Sequence, residues 1–420
     1  MAVVSYSPTT SSDLEEIWKN VQTKLHQGMK FMSEEWENMD DLKKFDVAWS
    51  SREILVPMDL NEGYGVASIE EGGYEAVPST PEANEISLSW VLFNKRFTHT
   101  LTSHWVEQKS PGAQVENNLK YQGAKAIQAI GRNFRDYHYG FSTGYLAMNS
   151  SVSTGTSGTY TLKNAYGLST VDTDDAYTAD KFKVGDRVAL IRSAALVTNA
   201  LGTITAVSAS TPSITVTWGG SVTSADEDYV VKANSMENSD IGSTDYNKGL
   251  VGKLDMLQTA SVHGLSSSTN ANWDAGYSDT AGGRLTGMRI RKAVQDIKNA
   301  GGGKVDRMDI AQGVERDMIT QQIAAVRYAD TSSMDLDGSV KYGGIKFNSF
   351  EGVPPGYAIP YVSKSVRKMT LLPKPEKGPA WGMGEKIQDR SAYVFSLDFP
   401  LAQVCLNRGN MGYFSGLTSV

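Results

Sequence analysis

Apolar positions along the chain follow two alternating rhythms. In residues 11–33, Leu14, Ile17, Trp18, Val21, Leu25, Met29 and Met32 recur at helical spacing. Ser12 and Glu15 stand in the spacing of a capping box, which satisfies the first free N–H groups of a helix. The stripe needs a partner surface, either on its own domain or on a neighbouring copy. From 54 to 108 the period falls to two. Ile86, Leu88, Trp90 and Leu92 share one face, and Phe93 and Phe97 share the other. Gly72, Gly73, Pro78 and Pro81 mark a turn region. The pattern predicts a long two-stranded ribbon, which is marginal by itself in water and must lie on something else.

Helical spacing returns in 112–138, through Val115, Leu119, Ala126, Ile127, Ile130, Phe134 and Tyr137. Such a helix would be about 40 Å long. Gly123 and Gly131 weaken it by about 1 kcal/mol each unless something packs closely there. Residues 149–235 are rich in Ser, Thr, Gly and Val and alternate with period two through "FKVGDRVALI", "LGTITAVSAS", "SITVTW" and "DYVVKA". They predict a small β-barrel or sandwich inserted between helical parts. From about 245, "NKGLVGKLDMLQTASVHG", "TGMRIRKAVQDIKNAGGG" and "VERDMITQQIAAVRYA" read as helices. "KVDRMDIAQ", "IKFNSF", "YAIPY", "VRKMTLL", "SAYVFSL" and "LAQVCL" read as strands.

Composition narrows the classes. At 40% hydrophobic and 21% charged, the chain of 420 residues reads as globular, with two or three domains. A net charge of -7 argues against a protein that reads duplex DNA, which presents a basic excess. The lone Cys405 excludes an intrachain disulfide and a Cys-based metal site. No apolar run approaches the roughly 20 residues of a membrane span. "MAVVSYSPTT" lacks the basic start and apolar core of a signal peptide, so we expect a cytoplasmic site of synthesis and use. The charge is also unevenly spread. Between Arg52 and Lys95 there is no Lys or Arg, while Glu53, Asp59, Glu62, Glu70, Glu71, Glu75, Glu82 and Glu85 all fall there.

The chain offers no catalytic, cofactor-binding or metal-binding set. His26, His99, His104, His138 and His263 are the only histidines, and His99 and His104 point to opposite faces of a strand. "NAGGGKVD" follows a helix instead of a strand, and Lys304 is followed by Val305, so it reads as a helix C-cap and turn, not a phosphate loop. "DLDGS" at 335–339 and "DTDD" at 172–175 do not complete a calcium loop. An amphipathic end, an acidic ribbon, a long helix and an inserted β-module are all easier to satisfy between subunits than within one.

The order of these parts resembles the tailed-bacteriophage major capsid proteins, with their Hong Kong 97-type α+β fold. "SHWVEQKSPGAQVENNLKYQGAKAIQAIGRNF" resembles the family's strand-to-spine transition. "KAVQDIKNAGGGKVDRMDIAQGVERDMI" resembles its axial helix–loop–strand–helix, and "YGGIKFNSFEGVPPGYAIPY" its late Pro-Gly turn. "YVFSLDFPLAQVCLNRGNMGYFSGL" resembles its closing peripheral strands.

The resemblance implies an N-terminal arm at 1–53, an extended loop at 54–108, and a spine helix with the start of the peripheral domain at 109–148. The inserted β-domain is 149–235, an axial α/β domain 236–362, and peripheral strands 363–420. It further implies a structural, non-enzymatic subunit without cofactors. Hexamers and pentamers would form an icosahedral virion head around double-stranded DNA, assembled in the host cytoplasm. Scaffolding, portal and decoration proteins are the further partners implied, with no membrane and no sequence-specific DNA reading. An encapsulin-like compartment shell and a hydrolase with an accessory β-domain are the alternatives.

Some members of that family join a loop Lys to a neighbour's Asn. The ribbon here has no Lys before Lys95, which argues against such a link. Its Glu70, Glu71, Glu75 and Glu82 would instead meet a neighbour's cations. Lys364, Arg367, Lys368, Lys374 and Lys377, or Lys120, Lys125, Arg132 and Arg135 on the spine, are the candidates. Trp18 and Leu25 would anchor the arm. The inserted module would sit on the outside or at a subunit junction, and an exterior module is expected to accept a tag near residue 200.

Overall fold

The structure, a computed structural model, describes residues 39–42, 48–49, 54–61, 82–88, 90–100, 116–165, 179–193, 195–233, 249–270, 272–326, 341–342, 344–350, 352–370, 376–377, 385–386 and 392–418. The expected arm helix, with Trp18 and Leu25, lies outside them. The chain divides into two units. One comprises Met1–Met39, Trp90–Arg135 and Lys368–Ala402, and the other Asp40–Ser89, Asp136–Arg367 and Gln403–Val420.

In the larger unit, β1 (Ala48–Trp49), β2 (Ile54–Asn61) and β3 (Glu82–Leu88) form an antiparallel three-stranded sheet. The ribbon of β2 and β3 runs from Ile54↔Leu88 outward to Asn61↔Glu82. Its base rests on its own chain: Val56, Ile86 and Leu88 are buried, and the Ser87 N–H donates to the His263 carbonyl at 3.0 Å. The single face expected through Leu92 is not formed. β3 stops at Leu88, and β4 (Val91–Thr100) begins again with a different strand partner. Changing partner resets which positions face inward. Leu92 is accordingly 59% exposed, whereas Phe93 is buried.

The long helix is α1 (Glu116–His138). Ala126, Ile130, Phe134 and Tyr137 of its apolar stripe are buried. A closed barrel follows, from β5 (Ala147–Asn149), β6 (Thr154–Asn164), β7 (Arg187–Arg192), β8 (Ala195–Ser208), β9 (Ser213–Thr223) and β10 (Tyr229–Lys232). Closure pairs every strand on both sides and leaves no edge. Alternation along the strands buries Tyr160, Leu162, Ile204, Ile214, Val216 and Trp218. The Trp218 Nε1–H donates to the Tyr160 hydroxyl at 2.7 Å. Ala189, Ile191, Leu201 and Val231 form a further cluster, against which Tyr145, Leu196, Tyr229 and Ala233 pack. The Arg192 guanidinium clasps Asp228 through Nε and a terminal nitrogen at 2.6 and 2.7 Å.

The helix expected to run to His263 is only α2 (Lys253–Gln258). A hairpin of β11 (Ser261–Val262) and β12 (Leu265–Ser266) takes the remainder. His263 and Gly264, with φ of 54° and 82°, supply the two left-handed residues of its turn.

A mixed six-stranded sheet completes this unit. It contains β13 (Tyr277–Asp279), β14 (Arg307–Ile310), β15 (Lys341–Tyr342), β16 (Ile345–Ser349), β17 (Ala358–Tyr361) and, late in the chain, Gly412–Phe414. β14 lies between β16, parallel to it, and β17, antiparallel to it. The helices of this part are α3 (Gly287–Gly301) and α4 (Gln312–Val326). α3 begins at Thr286, whose hydroxyl accepts from the Arg289 N–H, and ends at Gly302 in the left-handed region. A Cβ at Gly301 would stand 2.5 Å from the Asn410 nitrogen, and the Gly303 N–H donates to Asn410 Oδ1 at 2.9 Å. The glycine run is thus a C-cap and a close backbone approach.

In the smaller unit, β4 pairs antiparallel with the strand Ala392–Cys405, from Leu401↔Val91 to Ala392↔Thr100. β18 is Val366–Thr370, β19 is Ala392–Cys405, and the Gly412–Phe414 strand is β20. The two strands expected as "SAYVFSL" and "LAQVCL" are therefore one.

Candidate functional site

The most polar part of the larger unit's interior is built around Asp309 on β14. Met308, Asp309 and Ile310 are all buried, so the carboxylate enters the core with its strand. Lys253 of α2, itself 1% exposed, forms an ion pair with Oδ2. The Tyr139 hydroxyl donates to Oδ2 at 3.1 Å. Asn348 Nδ2 and the Tyr361 hydroxyl reach Oδ1 at 3.2 and 3.3 Å. The Lys253 ammonium also lies over the Tyr361 ring, 4.1 Å from its centroid.

Four donors on one carboxylate bind α2, the residue after α1, β14, β16 and β17 to each other. No lone pair is left poised for proton transfer to a substrate. Burial, then the Asp309 charge, holds the Tyr361 phenol well above its ordinary range. Burial, then the Lys253 charge, holds the His138 imidazole well below its ordinary value. His138 Nδ1 meets Gln403 Oε1 at 2.9 Å.

A second buried cation, Arg408, donates to the carbonyls of Trp273, Leu257 and Thr259 at 3.2, 3.4 and 2.9 Å. Two of these close the C-terminal end of α2, where a cation meets the free carbonyls. Nearby, His263 accepts at Nε2 from the Cys405 N–H at 3.4 Å. Its pKa is lowered to about 4, mainly by burial, against the pull of Asp255 and with the push of Arg408. Burial pushes the Cys405 thiol up to about 12, leaving it a core group. Among the described residues, no group of His, Cys, Asp or Glu has metal-holding geometry. None of the described helices is long and apolar enough to cross a membrane.

The expected contact residues are scattered. Glu70, Glu71 and Glu75 lie outside the described residues, as do Trp18 and Leu25. Glu82 opens β3 at the outer end of the ribbon. Lys364 is exposed. Arg367 meets the Asp40 carboxylate at 3.5 Å and donates through Nε to the Lys364 carbonyl at 3.0 Å. Lys368 is buried, 8% exposed. On the spine, Lys125 is exposed and bonds Gln128 Oε1 at 3.0 Å.

The Asp309 network escaped the sequence reading because its members come from five separated segments. Its one available signal was an acid inside the apolar run "RMDIA".

Comparison with solved structures gives the class. The chain matches the Cyanophage A-1(L) capsid asymmetric unit over 95% of its own length and 94% of that chain, at 12% identity and a TM-score of 0.51. It also matches the satellite phage P4 procapsid that includes the size determination (Sid) protein. That match has 8% identity, 94% and 90% coverage and a TM-score of 0.43. A capsid of a native GTA particle matches at 9% identity, 91% and 89% coverage and a TM-score of 0.41. No family model and no curated protein matches the chain. The fold is that of a phage capsid subunit. Its architecture is mixed α+β with a small closed barrel.

Proposed function

We propose that this chain is the major capsid subunit of a tailed bacteriophage. Copies associate as hexamers and pentamers and close an icosahedral head around double-stranded DNA. The observation that carries this reading is the match to the cyanophage capsid chain across 95% of this chain, which takes in nearly all of its parts in order. The function is geometric: the faces of one subunit set curvature and closure in a lattice of copies. The buried polar groups support it, because Asp309, Lys253 and Arg408 are spent on holding elements of the subunit together. The partners of such a lattice are other copies first, then scaffolding, portal and decoration proteins. The DNA is enclosed without being read, in keeping with the net charge of -7.

The test is electron microscopy of particles from cells expressing the chain, followed by nuclease treatment. Closed shells of phage-head size, protecting DNA when packaging proteins are present, are expected. Small compartments filled with protein would replace the phage head with a cellular shell. An absence of shells under all assembly conditions would overturn the proposal.

A further inference from the structure

An acidic ribbon calls for cations on another surface, and two of the expected ones are engaged or covered within their own subunit. Lys368 is buried and Arg367 is engaged with Asp40. The largest local excess of base lies elsewhere. Between Thr280 and Val305 stand Arg284, Arg289, Arg291, Lys292, Lys298 and Lys304, against Asp296 alone. α3 sorts them. Ile290, Ala293 and Ile297 are buried, and Arg289 turns to Asp279 at 2.8 Å. Arg284 is taken by Asp317 at 3.4 Å. Arg291, Lys292 and Lys298 remain on the exposed side. Among the described residues, none of these three has a carboxylate within ion-pair distance. Beside them, Met288 is 86% exposed, the most exposed large apolar side chain among the described residues. Positions 288, 291, 292, 295 and 298 follow the three- and four-residue steps of one helix face.

We infer that the outer face of α3 receives the acidic segment between Arg52 and Lys95 of a second copy. This names the contact partner within the shell reading and rests on it. Two features of the sequence match two features of the face. Eight carboxylates without a base complement Arg291, Lys292 and Lys298. Tyr64, Val66, Ile69, Tyr74 and Val77, interleaved with the acids, supply apolar groups for Met288. A purely electrostatic contact with nucleic-acid phosphates would leave Met288 in water, so the mixed face favours a mixed peptide segment. Each exposed pair contributes little, but the contact repeats at every subunit of a closed lattice. Like charge also keeps ribbon from ribbon and α3 from α3.

The test is charge reversal in the full chain and reversal back. One variant carries Arg291→Glu, Lys292→Glu and Lys298→Glu. A second carries Glu70→Lys, Glu71→Lys and Glu75→Lys, and a third carries all six. Arg291, Lys292 and Lys298 are exposed and make no contact with the Asp309 carboxylate, and circular dichroism with thermal melting checks that each subunit folds. Particle yield is expected to fall about tenfold in the first two variants at about 0.15 M salt and to recover in the third. Unchanged yield in the α3 variant, with the unsubstituted chain forming shells, overturns the inference and leaves the shell reading intact. Loss in the α3 variant without recovery in the six-fold variant overturns the acidic segment as the occupant. Normal empty particles that fail only in DNA packaging assign the face to nucleic acid and likewise overturn it. An unsubstituted chain that forms no shells removes both readings together.

Discussion

The barrel and the mixed sheet close their interiors in opposite ways. The barrel packs apolar side chains around the Trp218–Tyr160 hydrogen bond, its buried Lys181 and Asn149 donate to the backbone carbonyls of Leu146 and Ala225, and its charged clasp, Arg192 with Asp228, keeps the guanidinium half in solvent. Its outward positions on β6, β8 and β9 carry hydroxyls such as Thr159, Thr203, Thr215 and Thr217, and Thr159 bonds Thr215 at 3.0 Å. Such a surface is satisfied by water and by itself. The mixed sheet instead holds a carboxylate, an ammonium and a guanidinium in its unit's core, and α3 beside it presents unneutralised cations. The contrast separates a module whose surface is satisfied by water and by itself from a body that specifies its packing by buried charge and carries exposed cations on α3.

The sharpest way to break this contrast is to unpair the buried charge. Asp309→Ala leaves Lys253 buried without its counterion and is expected to cost about 3–5 kcal/mol, read as a large fall in Tm. Replacing both at once, Lys253→Met with Asp309→Leu, should recover most of that loss. An equally large loss in the double variant would show that the hydrogen-bonding tyrosines, not the ion pair, carry the energy. In the barrel, Tyr160→Phe strands the Trp218 N–H and should cost about 1–3 kcal/mol. Its effect should be confined to the barrel, with particle yield unchanged.

Acid provides a third separation, acting through His138 and His263, both of which lie outside the barrel strands. His138 and His263 are both held neutral in the folded chain, so unfolding takes up protons. Their contribution is complete above the ordinary imidazole value of 6.5 and is lost as pH falls toward about 4, the folded value for His263. Thermal melting between these limits should show a declining Tm, and the slope should flatten in His263→Gln. A slope unchanged by that substitution would place the acid sensitivity on the carboxylates. The smallest effect is expected from inserting a peptide tag in the exposed turn at residues 209–211. Residue 200, in contrast, lies inside β8 with its side chain buried, so a tag there should unfold the barrel.

What could be read from the chain followed periodicity. α1, α3 and the barrel strands were visible because each carries its own rhythm and its own caps, as at Thr286 and Gly302. The break between Leu88 and Val91 was not, because both halves alternate and only the partner strand changes. The hairpin after α2 was hidden because apolar spacing in "LDMLQTASVHG" also suits a helix, and the decisive feature is a pair of positive φ angles at His263 and Gly264. The Asp309 network and the burial of Lys368 depend on contacts between distant segments, which spacing along a strand does not encode. The arm and the acidic ribbon's outer part lie outside the described residues, so their contact roles stay proposals.

In the proposed lattice, the exposed α3 cations and the ribbon acids of one subunit are completed by other copies. Sedimentation velocity of the purified full chain, across concentration at physiological salt, tests this most directly. Large closed particles in equilibrium with small capsomer-sized species, shifting toward the latter at high salt, are the predicted result. A single monomeric species that stays monomeric as concentration rises and salt falls would contradict it.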